Sequence, residues 1–495
     1  MLSKLLEEEL INIVGAENVL TDAPTLEQYS KDMSFVPPMR PRCVVKPKTS
    51  DEIQKIVKLA NKTLTPLVAV SSGPPHFRGD TVPSVGGAVI VDLSRMKRII
   101  RIDRRNRVVL VEPGVTFPEL AQALAKEDLA PFLPLLPRST KSVVTSALET
   151  DPIILPKYHW DVQDPLRCVE IIFGNGELFR SGDAVGPGDL EDQWKVGKAQ
   201  SRGLGPASID FTKLVQRVQG TLGIVTWASI GCRPLPKVKE AYIIPSENLE
   251  SLIELAYKIL WRRLGAVCLI LNNCNFACIL KEDGQSIERL RENLPSWLLL
   301  FTIETSGLYP DKKLEYQRSE LISLSQFFGL EPLSTVFGIS AEEVMKLIHG
   351  ELPSAHSSYW KLRFKGSCQE VFFTTTLNRV PEFVKKVFEL AGLYKFATKD
   401  IGIYIQPIVQ GTSCHCEFDL YYDPQNLEEA NLVKNFSYEM IRALIKIGAF
   451  FARPYPIFKD IAISYVAAPY IITARKIKSI FDPNNIMNPG KLYFM

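Results

Sequence analysis

The chain has 495 residues, about three times the usual domain length, which calls for two or three domains and excludes a small disulfide-stapled scaffold. Hydrophobic residues at 46% and charged residues at 23% exclude global disorder and fibrous repeats. With 58 basic against 55 acidic residues the formal charge is +3, too balanced to imply nucleic acid as a partner. The N-terminal run MLSKLLEEELINIVGAENVL puts Glu7, Glu8 and Glu9 where a secretory signal needs apolar residues. It predicts an amphipathic helix and a cytoplasmic address. No run reaches the roughly 18 apolar residues of a membrane span. The nine cysteines are odd in number and lack a C-x-x-C pair, so buried reduced thiols are expected rather than a disulfide framework or a zinc knuckle.

Residues 40–103 alternate β-branched runs with helical patterns, an α/β rhythm. CVVKP reads as a strand, and Ser50 is expected to cap a helix on which Ile53, Ile56, Val57 and Ala60 share a face. PLVAV (66–70) is the next strand; it runs into the loop SSGPPHFRGDTVPSVGG and then the strand AVIVDL. A polar turn separates RIIRID from RVVLVEPG, after which Thr116 and Glu119 predict a capping box with Pro118 in the first helical turn. CVEIIFGNGELFRSG (168–182) reads as a hairpin turning at Gly174-Asn175-Gly176. A Gly-rich surface excursion follows to about residue 208, and TLGIVTWASIGCRPLP is a further strand.

Past residue 236 longer amphipathic helices (ENLESLIELAYKILWRR, DKKLEYQRSELISLSQFF, AEEVMKLIHG, RVPEFVKKVFELAG) alternate with strands, which predicts a second unit of α+β type. In the strand SCHCEFDLYY the period of two sends Cys414, Cys416, Phe418 and Leu420 to one face and His415, Glu417, Asp419 and Tyr421 to the other. An imidazole beside two carboxylates suits general acid–base chemistry; the alternative is a half-exposed polar sheet face. A metal site of His415, Glu417 and a remote His356 lacks compact spacing, and no metal ligand set is assigned.

No Walker loop, G-x-G-x-x-G, G-x-S-x-G or H-E-x-x-H occurs. Five runs in order do carry a resemblance: PLVAVSSG, VDLSRMKRIIRID, VLVEPGVTFPELAQAL, VQGTLGIVTWASI and DPNNIMNPGKLY. They resemble the flavin-binding family of vanillyl-alcohol oxidase, p-cresol methylhydroxylase (PCMH) and the glycolate oxidase flavoprotein subunit. QPIVQGTSCHCEFDLYYDP and GAFFARPYP are similar to cap-domain segments of the same group.

The resemblance implies an α+β protein with a PCMH-type FAD-binding domain of two α/β subdomains and an α+β cap with an antiparallel sheet. The expected parts are an N-terminal helical segment (1–37), the FAD domain (38–238), the cap (239–472) and a tail returning to the FAD domain (473–495). Cofactor contacts are expected at Ser72, Gly73, His76, Arg78, Gly79, Gly114, Thr145, Ser146, Gly220, Gly223, Ile224, Asn488 and Lys491. His415, Glu417 and Arg453 are the candidate catalytic residues, with Tyr404, Gln406 and Tyr455 lining a substrate pocket. His159-Trp160-Asp161 is expected near the flavin ring, with Trp160 packing there.

A flavin diphosphate is best held by backbone N–H groups of glycine-rich turns, and here the sequence departs from the family. The usual S-T-G-R-N-x-G-Y-G loop reads S-S-G-P-P-H-F-R-G (71–79): Phe77 replaces a glycine, and Pro74 and Pro75 remove two donors. Val144-Thr145-Ser146-Ala147 stands where the family carries G-N or G-G. Arg78 offers a guanidinium fork for phosphate as compensation. His76 lies where some members attach FAD covalently, although two prolines precede it. Two functions follow. One is an FAD-dependent dehydrogenase that oxidises a hydroxylated or benzylic carbon of a small molecule. The other is a flavin-poor or flavin-free homologue serving as a non-catalytic subunit beside an intact flavoprotein. An oligomer, with a paralogous subunit or an electron-transfer partner, is expected in either case.

Overall fold

The computed structural model describes residues 2–156, 165–208, 210–350 and 358–494. Three main sheets organise them. The first runs in the order Val19–Leu20, Cys43–Val45, Val89–Asp92, Leu67–Val70, its last three strands parallel. The helix Ser50–Thr63 covers it with Ile53, Ile56, Val57 and Ala60 all buried, each of the larger three contributing about 1.5–3 kcal/mol. Its cap is Thr49, one residue earlier than expected, whose hydroxyl accepts from the Glu52 N–H. Ser50 instead donates its hydroxyl to Glu170 at 2.9 Å, tying the helix to the second sheet. Leu6, Leu10 and Val14 of the helix Leu2–Val14 recur every fourth residue and join the same core.

The second sheet orders Ile99–Asp103, Val108–Val111, Gly223–Pro234, Leu166–Phe173 and Leu178–Arg180, with Leu129–Pro131 beside Gly223–Pro234. Every pairing is antiparallel. The expected α/β character therefore holds for the first sheet and not for this one, because hairpins rather than crossover helices join several of its strands. The Thr116–Glu119 capping box and the turn at residues 174–176 form as the sequence predicts.

The third sheet is antiparallel, in the order Val238–Ser246, Trp297–Thr305, Cys268–Asn272, Ile401–Ile408, Ser413–Tyr422, Ser367–Thr375. One face, including Cys414, Cys416 and Phe418, packs under the helices Leu249–Trp261, Pro310–Phe327, Val380–Tyr394 and Leu427–Lys446. The opposite face turns toward residues 132–155 of the first half, so the polar side of Ser413–Tyr422 is buried rather than half-exposed. After the helix Ala468–Phe481 the chain returns to the first sheet, where Asn488 N–H donates to Leu67 O and Leu67 N–H to Ile486 O, both at 2.8 Å. Among the described residues no helix is long and apolar enough to cross a membrane. All nine cysteines are buried thiols.

Candidate functional site

A groove between the first half and the third sheet holds two cavities, of about 140 Å³ and about 100 Å³. They share the walls Ala69, Ser71, Asp80, Thr145 and Glu149, which form a neck between them. The outer cavity reaches the third sheet at Tyr359, Lys361, Glu370, Tyr404 and Glu417. The inner one ends at residues 217–225 and Asn488.

The loop that leaves Leu67–Val70 builds the neck. Ser71 and Thr145 hydrogen-bond across it through their hydroxyls, and the Ser142 N–H donates to Ser72 Oγ at 3.0 Å. Several amides that a diphosphate would use are engaged within the protein. Gly73 N–H donates to Thr140 O at 2.9 Å and Gly79 N–H to Asp32 Oδ2 at 2.6 Å. Close protein contacts also account for three of the glycines: a Cβ at Gly73 would meet Thr140 at 3.0 Å, one at Gly79 would overlap Val36, and one at Gly114 would meet Met96 O at 2.7 Å. Gly220 differs, with φ +69° and open space around it. Phe77 is buried against Tyr359, ring centroids 5.5 Å apart.

Arg78 crosses from this loop to the third sheet. Nη1 donates to Glu149 at 2.7 Å, to Asp151 at 3.3 Å and to Tyr455 Oη at 3.2 Å, and Nε donates to Glu370 at 3.3 Å. Its guanidinium also lies over the rings of Phe372 and Tyr455. Lys141 bonds Glu149 at 3.0 Å and pairs with Asp151 at 3.2 Å, while Arg453 donates to Asp151 at 2.8 Å. Burial opposes ionisation here, yet Lys141 and Arg78 hold the Glu149 and Asp151 carboxyls below their ordinary range. Burial, aided by the Glu149 charge, pushes the Asp80 carboxyl in the neck up to about 7.

A second cluster lies on the third sheet. Lys361 Nζ bonds Glu370 at 2.7 Å, Asp419 at 2.9 Å and Glu417. The three carboxylates lie close enough to hold a cation, and the lysine ammonium is seated among them. His415 Nε2 bonds Glu417 at 2.8 Å. Burial outweighs the Glu417 charge and lowers the His415 pKa, so the imidazole is neutral. Against the effect of burial, Lys361 and His415 hold the Glu417 carboxyl far below its usual range. Burial raises Asp419 to about 7.

Among the sequence-derived candidates, Ser72, His76, Arg78, Tyr404 and Glu417 line the outer cavity, Gly220, Gly223, Ile224 and Asn488 the inner one, and Thr145 both. Others stand behind the walls. Gln406 donates to Cys268 O and accepts from Tyr404, Ser146 donates to Asp151, and His415 lies behind Glu417. Arg453 and Tyr455 belong to the Arg78 cluster. Lys491 donates to Gly79 O and Val82 O at 2.7 and 2.6 Å, holding the loop from behind. His159, Trp160, Asp161 and His356 fall outside the described residues. Sequence reasoning missed Asp80, Arg138, Lys141, Glu149, Asp151, Tyr359, Lys361 and Glu370; the available signal was two acids, Glu149 and Asp151, at the end of the apolar run VVTSAL.

The inner cavity has properties that suit the nucleoside end of a dinucleotide. Leu148, Ile171, Val215 and Val225 give it apolar walls. Arg217, Gln219 and Asn488 adopt positive φ, a strain that clusters at binding sites. The amide oxygens of Gln219 and Asn488 are buried without a hydrogen-bond partner among the described residues, acceptors suited to amino and hydroxyl donors. The residues present thus fit a dinucleotide such as FAD at its nucleoside end, while at the neck side chains stand where backbone donors are expected.

An FAD binding domain model matches residues 41–182, and a model of the C-terminal domain of FAD linked oxidases matches residues 465–492. The chain is 25% identical over 506 residues to the glycolate oxidase subunit GlcD of Bacillus subtilis (strain 168), covering 100% of this chain and 97% of that protein. It is 24% identical over 519 residues to the 4-cresol dehydrogenase (hydroxylating) flavoprotein subunit of Pseudomonas putida, covering 97% and 93%. The crystal structure of p-cresol methylhydroxylase with substrate bound superposes with a TM-score of 0.83 at 19% identity, covering 99% of this chain and 96% of that one. The 4-ethylphenol oxidase of Gulosibacter chungangensis gives 0.82 at 20% identity, covering 99% and 97%.

Proposed function

Because the chain belongs to the PCMH-type FAD-binding oxidase family, we propose that it is an FAD-dependent oxidoreductase acting on a hydroxylated or benzylic carbon of a small molecule. The observation that carries this reading is the paired cavity running from the Gly220 turn through the neck to the third sheet. In this reading residues 38–238 and the returning tail hold the cofactor, and residues 239–472 form the cap over its reactive end. Ser72, Thr145, Gly220, Gly223, Ile224 and Asn488 line its path. When bound, the flavin supplies a hydride acceptor at N5.

The protein's own part is to bind the substrate in the outer cavity, beside Tyr404 and Tyr359, and to take the hydroxyl proton. Glu417 faces that cavity in its ionised form. The neutral imidazole of His415 donates its Nε2–H to the Glu417 carboxylate and so orients it to receive that proton. The test is spectroscopic. Purified protein incubated with FAD and desalted should show bands at about 370 and about 450 nm. Anaerobic addition of a substrate alcohol should bleach the second band, about a hundredfold more slowly in Glu417→Gln and His415→Ala. A colourless protein after FAD addition refutes the reading.

One observation favours a second reading, a flavin-free subunit. Arg78, Glu149, Asp151, Lys141 and Arg453 form an ion cluster complete within the protein at the place where the loop meets the cap. Under that reading the protein stays colourless and co-purifies with a yellow paralogue.

A further inference from the structure

Four cationic side chains line the outer cavity: Arg78, Arg138, Lys141 and Lys361. Three of them pair with two or three carboxylates each. Arg138 pairs with none among the described residues. Its Nε donates to Gly73 O at 3.3 Å and its Nη2 to His76 Nδ1 at 3.4 Å, which leaves Nη1 without a protein partner among the described residues. Because His76 Nδ1 accepts this bond, its ring proton sits on Nε2, which becomes a second donor in a residue that lines the cavity. Burial and the nearby Arg138 and Lys141 charges lower the His76 pKa to about 3, so the ring is neutral and donates from Nε2 alone. Arg138 thus bonds Gly73 and His76, the residues on either side of Pro74 and Pro75, the two positions where the loop has no amide hydrogen to offer.

We propose that Arg138, assisted by His76, is the oxyanion anchor of this groove, and that it takes the diphosphate of the cofactor in place of the loop amides that Pro74 and Pro75 remove. This rests on the reading of the groove as a dinucleotide site. A guanidinium already fixed through Nε to the loop carbonyl presents its remaining N–H groups at little further ordering cost, and charged hydrogen bonds to phosphate are among the stronger ones available.

The experiment is calorimetric titration of the full-length, flavin-stripped protein with FAD, ADP, adenosine and acetate. Arg138→Met should weaken FAD and ADP about tenfold to a hundredfold, as loss of a charged hydrogen bond does, and leave adenosine unchanged. Arg138→Lys should fall between, since it keeps the charge without the fork, and it decides the matter if the methionine variant does not fold. Equal loss for adenosine and ADP, or no loss for ADP, overturns the proposal. A loss confined to acetate also overturns it, and makes Arg138 a substrate-carboxylate contact. The two readings fail separately. Wild-type protein that binds ADP through Arg138 but not FAD keeps the anchor and discards the flavin. Protein that binds FAD equally well with and without Arg138 does the reverse, and protein that binds neither discards both.

Discussion

Lys361 is bonded to all three of Glu370, Glu417 and Asp419, whereas Arg78 reaches Glu370 alone, at 3.3 Å, so Lys361→Met is a sharp perturbation. The methionine keeps most of the stem and deletes the charge, leaving three buried carboxylates whose oxygens lie within 4.8 Å of one another. Two like charges at that distance repel by roughly 3–4 kcal/mol at an effective dielectric constant of 20, and removing one side of a buried ion pair costs about 3–5 kcal/mol. The variant should lose about that much at pH 8. The loss should also depend on pH. The orphaned carboxyls acquire folded-state pKa values above their unfolded ones, so the stability linked to their protons is fully present at low pH and is lost as pH rises through those raised values. Asp419, already near 7 with the lysine in place, moves higher without it. Since a tenfold change in proton affinity is worth about 1.4 kcal/mol, the deficit at pH 5.5 should be smaller than at pH 8 by about 2 kcal/mol. Urea unfolding followed by tryptophan fluorescence measures both, and Glu370→Gln in the same background should return part of the loss. A deficit under about 1 kcal/mol, or one equal at the two pH values, refutes the buried-cluster argument.

Acid acts with the opposite sign on Glu149, Asp151 and Glu417. Their carboxyls are depressed in the folded state, so their contribution is present above about pH 4 and is lost as pH falls through the folded values. Asp151→Asn should flatten the low-pH limb of a stability titration. Thr116→Ala removes one half of the capping box and should cost about 1 kcal/mol in urea. Gly402→Ala drives a Cβ into Asn275 Oδ1, whose amide bonds Asp419 and Tyr421; a loss of about 2–3 kcal/mol is expected in thermal melts.

Local features were legible because their causes are local. The apolar face of Ser50–Thr63, the Thr116 box, the turn at residues 174–176 and the alternation of Ser413–Tyr422 each depend on residues a few positions apart. The continuous apolar runs of Cys268–Asn272 and Trp297–Thr305 have no period of two and passed unmarked, since a strand buried on both faces does not alternate. The ion clusters were not legible at all. Arg78 meets acids 71, 73 and 292 residues away, and no spacing rule reaches that far. Arg78 as a phosphate ligand was a reasonable expectation from the loop alone, whereas the fold gives its guanidinium three carboxylates to bond.

The contacts of Asn488 and Lys491 impose an order on maturation. They grip Asp80 O, Gly79 O and Val82 O, carbonyls encoded 408 to 412 residues earlier. During synthesis the loop that walls the groove therefore stays unbraced until residues 488–491 have emerged from the ribosome. A protease nick ahead of this segment would slacken a groove wall hundreds of residues upstream.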